Sequence, residues 1–444
     1  MLKEVRLKNF KLHEDTTIEV APITVFIGPN NSGKSSIFQA LLALKQATRN
    51  TGNNTGFLQT TPPERRVKED PYVLPGLESV DLGSFEDILR QGDKGIEIGV
   101  TGDVQPPKDL RYGVPLQVGF DLTIRGNALT YNHGRLESGY GTVDWSWLAG
   151  PTAHPSQQAV AVQGLSLLFV GANSFRLLEP RGIQSNAGSS PPPELVQDLN
   201  ELSWFFAGAP AKLLDSVHPV LPLRGFEEWG YPLPDHPPAS LEKLILRDRA
   251  TALAATLQYD RDLEEDLSET LEELIGVKLK VRLIPGRRVT LRASEAPSAG
   301  NGAPSQKLLS NEGMGANQLP FILVPMALAS PNETILLSEP EVHLHPALQS
   351  KLVSMLLTLA LKRSLQLIVE THSEHVLHKL LHAVAKADLP KEDLAIYYFE
   401  NQQGTAKVTK LEVNDQGQVS DGLPGFYDQS LAELSEYLDA LKKA

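Results

Sequence analysis

No cysteine occurs among the 444 residues, so neither a disulfide nor a cysteine-ligated zinc holds this chain together, a composition that fits a reducing compartment. Long apolar runs are missing too. The longest, "AVAVQGLSLLFVGA" and "QLPFILVPMALA", fall short of the ~20 residues that cross a bilayer. The opening "MLKEVRLKNFKLHED" mixes charge with apolar residues where a signal peptide carries an apolar core. These absences set the expectation of a cytoplasmic protein without membrane association. Net positive charge is also lacking: 41 Lys and Arg stand against 54 Asp and Glu, a balance of -13. That excludes coating nucleic acid by bulk attraction and leaves room only for a local basic face. No heptad pattern runs for several turns, no internal repeat is visible, and no serine sits in a G-x-S-x-G elbow. Long coiled arms, solenoids and a serine-hydrolase elbow are thereby excluded. The length suits two or three domains, or one large α/β domain with insertions.

What is present begins near the start. "ITVFIGPNNSGKSSIFQALLALKQA" reads as a β-branched strand, a Gly-rich turn and a helix with Ile37, Leu41 and Leu44 on one side. Gly28, Pro29, Asn30, Asn31, Ser32, Gly33, Lys34 and Ser35 spell G-x-x-x-x-G-K-S between strand and helix, with Ser36 following. Glycines let backbone amides curl around phosphate oxygens, and the helix adds the positive end of its dipole. Lys34 is expected to reach the β- and γ-phosphates of ATP, and the Ser35 hydroxyl to ligate Mg2+.

Two buried strands in the C-terminal half point to the same edge. Thr334 to Leu337 runs into "SEPEVHLHP", and Leu365 to Val369 runs into the polar outlet Thr371 to His375 before a helix. In that geometry Glu339 is placed to polarise an attacking water and His372 to hydrogen-bond a γ-phosphate.

"GPNNSGKSS", "NEGMGANQLPFILVPMALA", "SEPEVHLHP" and "ETHSEHVL", in that order, resemble the ABC-type ATPase heads of RecF, SMC and OLD proteins. The tail "DLAIYYFENQQGTAKVTKLEVNDQGQVSDGLPGFYDQ" resembles the short C-terminal module of a group of prokaryotic predicted ATPases. The resemblance implies an α/β fold: a P-loop NTPase of ABC-ATPase head type, with a mixed core sheet, an antiparallel side sheet and a helical insertion. It further implies a composite site. ATP would be enclosed when two copies meet head to tail, the signature residues Gly313, Gly315 and Asn317 of one facing the γ-phosphate held by Lys34 of the other. Relatives often carry serine where Asn317 stands, and an amide still donates a hydrogen bond. In such heads the first acid after the strand assists magnesium, and here that position is Ser338. Ser35 and Ser338 are thus the expected metal-side residues, with Glu341 either a substitute acid or turned toward the neighbouring subunit. The pair Ser338-Glu339 keeps the base and loses a charge, which predicts slow, magnesium-demanding hydrolysis; the alternative is a nucleotide-holding switch that controls a partner effector protein with little turnover. The resemblance also implies work in nucleic-acid sensing, processing or anti-phage defence. OLD-type relatives often append a Toprim nuclease, which needs a D-x-D; after residue 385 no D-x-D occurs, the aspartates, Asp415 and Asp421 among them, standing apart.

The remainder gives architecture. Residues 76 to 126 read as sheet, with "IEIGV" and "LQVGFDLTIRG" as strands; "NAGSSPPPE" and "YPLPDHPPAS" read as loops. Asp262 to Leu274 reads as an acidic helix packing Leu263, Leu267, Leu271 and Leu274, with its acids solvated. "VKLKVRLIPGRRVTLRAS" carries Lys278, Lys280, Arg282, Arg287, Arg288 and Arg292 with no acid. It is a candidate DNA or RNA track, or a solvated edge that resists aggregation. His343 and His345, like His372, His375 and His378, make weak metal patterns; the first two are expected to be buried beside the nucleotide or a subunit contact. Arg224 reads as an exposed cation. The expected divisions are 1–130 and 301–390 as halves of the head, 131–300 as the insertion and 391–444 as a small C-terminal module.

Overall fold

The computed structural model describes residues 1–49, 85–90, 95–111, 113–125, 128–146, 157–162, 165–171, 178–185, 193–222, 224–237, 249–295 and 306–420. Three strands, Thr334–Ser338, Gln366–Glu370 and Ile23–Ile27, form its centre, and every residue in them is buried. Continuous apolar runs of this kind mark parallel strands covered on both faces. Val217–Val220 joins the first and Leu394–Gln402 the last, all in parallel, and Thr405–Leu411 closes the six-stranded sheet antiparallel.

Alternation along these strands feeds two cores. Phe26, Leu336 and Ile368 face the helix Lys34–Arg49 and a six-stranded antiparallel sheet. That sheet runs in the order His13–Glu19, Leu2–Phe10, Ile96–Val104, Leu116–Arg125, Ala128–Ser138, Gly141–Ser146. Val25, Leu337 and Val369 face the helices Arg261–Ile275, Pro320–Leu328, Pro346–Arg363 and Glu374–Ala385. Ile37, Leu41 and Leu44 are buried as the helical spacing predicts, and Phe38 and Leu42 are buried with them. The helix is therefore enclosed on more than one side, between core sheet, side sheet and the helix Pro193–Asp215.

Differences from the sequence reading have local causes. The run "AVAVQGLSLLFVGA" spans two strands, Gln157–Val162 and Leu165–Gly171, in a three-stranded antiparallel sheet with Leu178–Ser185. The acidic helix is capped by the Asp260 carboxylate, which accepts from Leu263 N at 3.0 Å, and by Gly276 at φ 72°. Its four leucines are buried, but so is Glu264, whose Oε1 accepts from Val281 N at 2.8 Å and whose Oε2 pairs with Arg261. That acid pins the helix to the strand Val277–Ile284 instead of facing solvent. Finally, a boundary at 391 cuts through one sheet, because Leu394–Gln402 lies directly beside Ile23–Ile27. Phe26 contacts Phe399 and Tyr397 with ring centroids 5.2 and 6.2 Å apart, and Phe38 at 6.0 Å. Such pairs add about 0.5–1.5 kcal/mol each beyond area burial.

Candidate active site

The loop after Ile23–Ile27 is shaped by two glycines. Gly28 has φ +138°, and a Cβ there would collide with the Phe399 carbonyl; Gly33 has φ +100° and a Cβ there would lie 2.9 Å from His13 Nε2. His13 is buried, with Nε2 3.0 Å from the Gly33 carbonyl and Nδ1 3.0 Å from Thr16 Oγ1. Burial lowers its pKa, the Gly33 contact opposing. A neutral ring matches both partners: Nε2–H donates to Gly33 and Nδ1 accepts from the threonine hydroxyl. Lys34, also buried, donates to the carbonyls of Gly28 at 3.0 Å and Pro29 at 2.7 Å. Its pKa is pulled down by burial, and the charges of Glu370 and Glu339 push the other way.

Glu370 ends the central strand and points at the same helix start. Its Oε1 accepts from the Ser35 hydroxyl, and its Oε2 lies 3.5 Å from Ser338 Oγ. Burial raises its pKa, against the Ser35 contact and the Lys34 charge. Beside it, Glu339 takes φ 46°, unusual for a side chain with a Cβ. The turn is held from both sides: Glu339 N donates to the Glu370 carbonyl at 2.7 Å, and Arg224 donates to the carbonyls of Ser338 at 3.0 Å and Glu339 at 2.8 Å. Arg224 is buried, not exposed, and desolvation draws its pKa down to about 10. The Glu339 carboxylate is one-third exposed and lies 3.7 Å from His372 Nε2. Burial and the Lys34 charge hold His372 below the usual histidine range, so its ring is neutral near pH 7. Glu341 does not turn toward the metal side or outward. It is buried, accepting from Thr371 Oγ1 at 2.6 Å and from His372 N at 2.9 Å.

These groups line one cleft of about 880 Å³, formed by Asn30, Asn31, Ser32, Gly33, Lys34, Ser35, Ser36, Glu339, Glu370 and His372, with Lys11, Leu12, Asp87, Leu89 and Arg90 opposite and the turn Gln403, Gly404, Thr405 at the rim. The rim is tied to the loop: Asn401 Nδ2 donates to the Asn31 carbonyl at 2.9 Å, and Arg90 Nη2 to Thr405 Oγ1 at 2.9 Å. The volume is ample for a nucleotide-sized ligand. Hydroxyl and carboxylate oxygens beside the lysine form a hard donor set of the kind Mg2+ takes together with phosphate oxygens. The residues present therefore fit both groups.

Other expected site residues lie elsewhere. Gly313, Gly315 and Asn317 do not line the cleft of their own chain. A Cβ on Gly315 would press on Leu344 at 2.8 Å, whereas one on Gly313 would meet nothing within 4 Å. Asn317 is buried, and its amide is occupied by the Phe226 backbone, accepting at 2.7 Å and donating at 2.9 Å. It fixes the signature turn and is not turned outward as a donor. Ser338 sits behind Glu370 and is not among the cleft-lining residues. His343 and His345 are exposed, not buried, since the segment curls outward with His343 at φ 62° and His345 capping the next helix. Among the described residues no three His, Cys, Asp or Glu form a metal-holding group. On the basic hairpin, Lys278 pairs with Glu272, Arg287 with Asp235 and Arg288 with Glu228, while Arg292 donates to the Gln306 carbonyl. Lys280 and Arg282 are exposed.

Residues 1–87 and 256–377 match the AAA ATPase domain family, and residues 389–436 match a family described as a protein of unknown function, DUF3696. The chain is thus similar to AAA ATPase domains over two segments that flank its middle, with a DUF3696-like segment following the second. A stretch of 148 residues is 30% identical to an OLD nuclease of Thermus scotoductus, covering 30% of this chain and 27% of that protein. A stretch of 62 residues is 44% identical to a DNA double-strand break repair Rad50 ATPase of Sulfolobus acidocaldarius, 13% of this chain and 7% of that one. The matched stretches thus span about a quarter or less of these relatives. Among solved structures, an SMC head bound to the C-winged helix domain of ScpA aligns over 93% of this chain and 98% of its own, at 14% identity and TM-score 0.46. An Smc head with an extended coiled coil, bound to the C-terminal domain of ScpA derived from Pyrococcus furiosus, aligns over 98% and 99%, at 12% identity and TM-score 0.42. Among the described residues no helix is long and apolar enough to cross a membrane.

Sequence reasoning missed Glu370, Arg224's burial, His13 and the rim turn. Glu370 had one visible signal: an acid closing an otherwise apolar strand, "LIVE", just before Thr371 and His372.

Proposed function

We propose that the head binds ATP with Mg2+, hydrolyses it slowly, and closes as a head-to-tail pair of identical chains, acting in nucleic-acid sensing or processing, including anti-phage defence. The observation that carries this reading is the convergence of Lys34, Ser35, Glu339, Glu370 and His372 on one cleft at the ends of adjacent parallel strands. Lys34 and the amides at the start of Lys34–Arg49 hold the phosphates. Water attacks the γ-phosphorus, its proton passes to the Glu339 carboxylate, and the bond to the bridging oxygen breaks to release ADP. The neutral His372 ring donates to a γ-phosphate oxygen. Magnesium, when bound, neutralises charge on the β- and γ-oxygens. Arg224 and Glu341 position Glu339 and His372 by holding their backbones.

Pairing is supported by the position of the signature turn. Gly313 and Gly315 lie off their own cleft, and the space at Gly313 suits an approaching phosphate of a second copy. Static light scattering of wild type and Glu339→Gln tests it. Mg2+ and ATP should double the mass of the variant durably and of wild type transiently; monomers of both at saturating nucleotide would end the composite-site reading.

A second reading has its own support. Three of the six hairpin cations are already paired with acids of this chain, which weakens the nucleic-acid track and favours a switch that controls a partner effector protein. Nucleic-acid-stimulated ATP turnover supports the first reading; a tightly co-purifying protein unaffected by nuclease supports the second.

A further inference from the structure

We propose that Glu370, from the strand beside the P-loop, supplies the carboxylate that holds the nucleotide's divalent cation, taking over from the position now occupied by Ser338. The inference rests on the nucleotide reading of the cleft and adds the metal-facing residue to it. Three observations carry it.

The first is register. Ser338 and Glu370 are direct partners at the ends of two parallel strands, so their side chains leave the sheet in the same row. The strand of Glu370 lies between the strand of Ser338 and that of the P-loop, one place closer to Ser35. A carboxylate lost from the farther strand is thus recovered on the nearer one.

The second is contact. One Glu370 oxygen takes the hydrogen bond of Ser35, the hydroxyl expected to ligate the cation, and the other lies 3.5 Å from Ser338 Oγ. A residue as small as serine at 338 leaves that space to the glutamate. An aspartate there would set two carboxylates against each other, which like-charge repulsion disfavours.

The third is how little offsets the charge. Glu370 is 3% exposed, and Lys34 acts on it only through space, its own hydrogen bonds going to the Gly28 and Pro29 carbonyls. Two hydroxyls hold it. A buried carboxylate costs several kcal/mol unless a cation compensates it, and its one approach is through the cleft, where it lines the wall with Lys34 and Ser35. Glu341, the other acid in reach by sequence, is committed to Thr371 and the His372 amide.

The test is binding of a fluorescent ATP analogue, measured in Mg2+ and in EDTA, for wild type, Glu370→Gln and the relocated pair Ser338→Asp with Glu370→Ser. Wild type should bind about 10–100-fold more tightly with Mg2+ than with EDTA, the range that supporting groups around a metal contribute. Glu370→Gln should bind equally in both. The relocated pair should recover the Mg2+ preference, because the charge returns to the row one strand away. Full Mg2+ dependence in Glu370→Gln overturns the assignment while leaving the nucleotide site intact. A wild type that binds the analogue in neither condition overturns the nucleotide reading, and the metal assignment with it.

Discussion

Two regions of this molecule carry sequence signals for phosphate, the P-loop cleft and the basic hairpin, and the fold treats their cations differently. Lys34 is buried against backbone carbonyls, with Glu339 and Glu370 beside it on the wall of an open cleft. On the hairpin, Arg287 and Arg288 reach across to Asp235 and Glu228, and Arg288 also lies 5.0 Å from the Trp229 ring. Counted along the chain the hairpin is the richer, with six cations against the single Lys34 of the P-loop. What differs is whether the fold spends that charge internally or leaves it facing a space of ligand size.

The contrast can be broken or sharpened by substitution. The largest effect is expected at the cleft: Glu339→Gln should lower single-turnover hydrolysis by roughly 10²–10⁴-fold, the usual worth of a general base, with nucleotide binding kept. Arg224→Met comes next. It leaves the Leu221, Ser338 and Glu339 carbonyls without their donor, and hydrogen bonds to charged groups are worth about 1.5–3 kcal/mol each. Denaturant unfolding should show a loss of about 4–5 kcal/mol, the low end for three such bonds, with slower hydrolysis as the Glu339 turn relaxes.

A smaller, pH-dependent effect belongs to His13. Its folded pKa lies below the ordinary 6.5, so between the two values the unfolded chain binds the extra proton and stability rises with pH. The contribution is complete above 6.5 and is lost as pH falls through the folded value. His13→Gln should therefore flatten the melting temperature of this protein below about pH 6.5, relative to wild type, and change it little at pH 8. The smallest effect is expected on the hairpin. Reversing Arg287 and Arg288 breaks solvent-screened pairs of little net worth, and should leave nucleic-acid affinity at low salt nearly unchanged. If the hairpin does track phosphate, reversing Lys280 and Arg282 should cut the salt dependence of that affinity by about two counterions.

How much of this was legible beforehand follows the same division between local and tertiary information. The P-loop was readable because its spacing, its glycines and the flanking strand and helix are all dictated within a dozen residues or so. The strand ends carrying Glu339 and His372 were readable from apolar runs stopping at polar outlets. Glu370 was overlooked because one acid closing a strand looks like the start of a loop, and only the neighbouring strand's register sets it opposite Ser338. Arg224 looked exposed because its burial depends on a turn more than a hundred residues away. The hairpin Leu394–Gln402 and Thr405–Leu411 looked like a separate module. Its buried residues Leu394 to Phe399 gave the signal of a strand covered on both faces, but nothing local named Ile23–Ile27 as its neighbour. The segment that matches a family described only by its unknown function thereby contributes part of the rim of the cleft.

The most direct test of the account is a calorimetric titration of Mg2+ and ATP into the wild-type chain and into Lys34→Ala. Saturable binding of one nucleotide per chain in wild type, weakened by about 10–100-fold in the variant as loss of a charge-assisted contact requires, is the result the cleft geometry predicts. Absence of binding in wild type, or equal affinity in the two proteins, would contradict it.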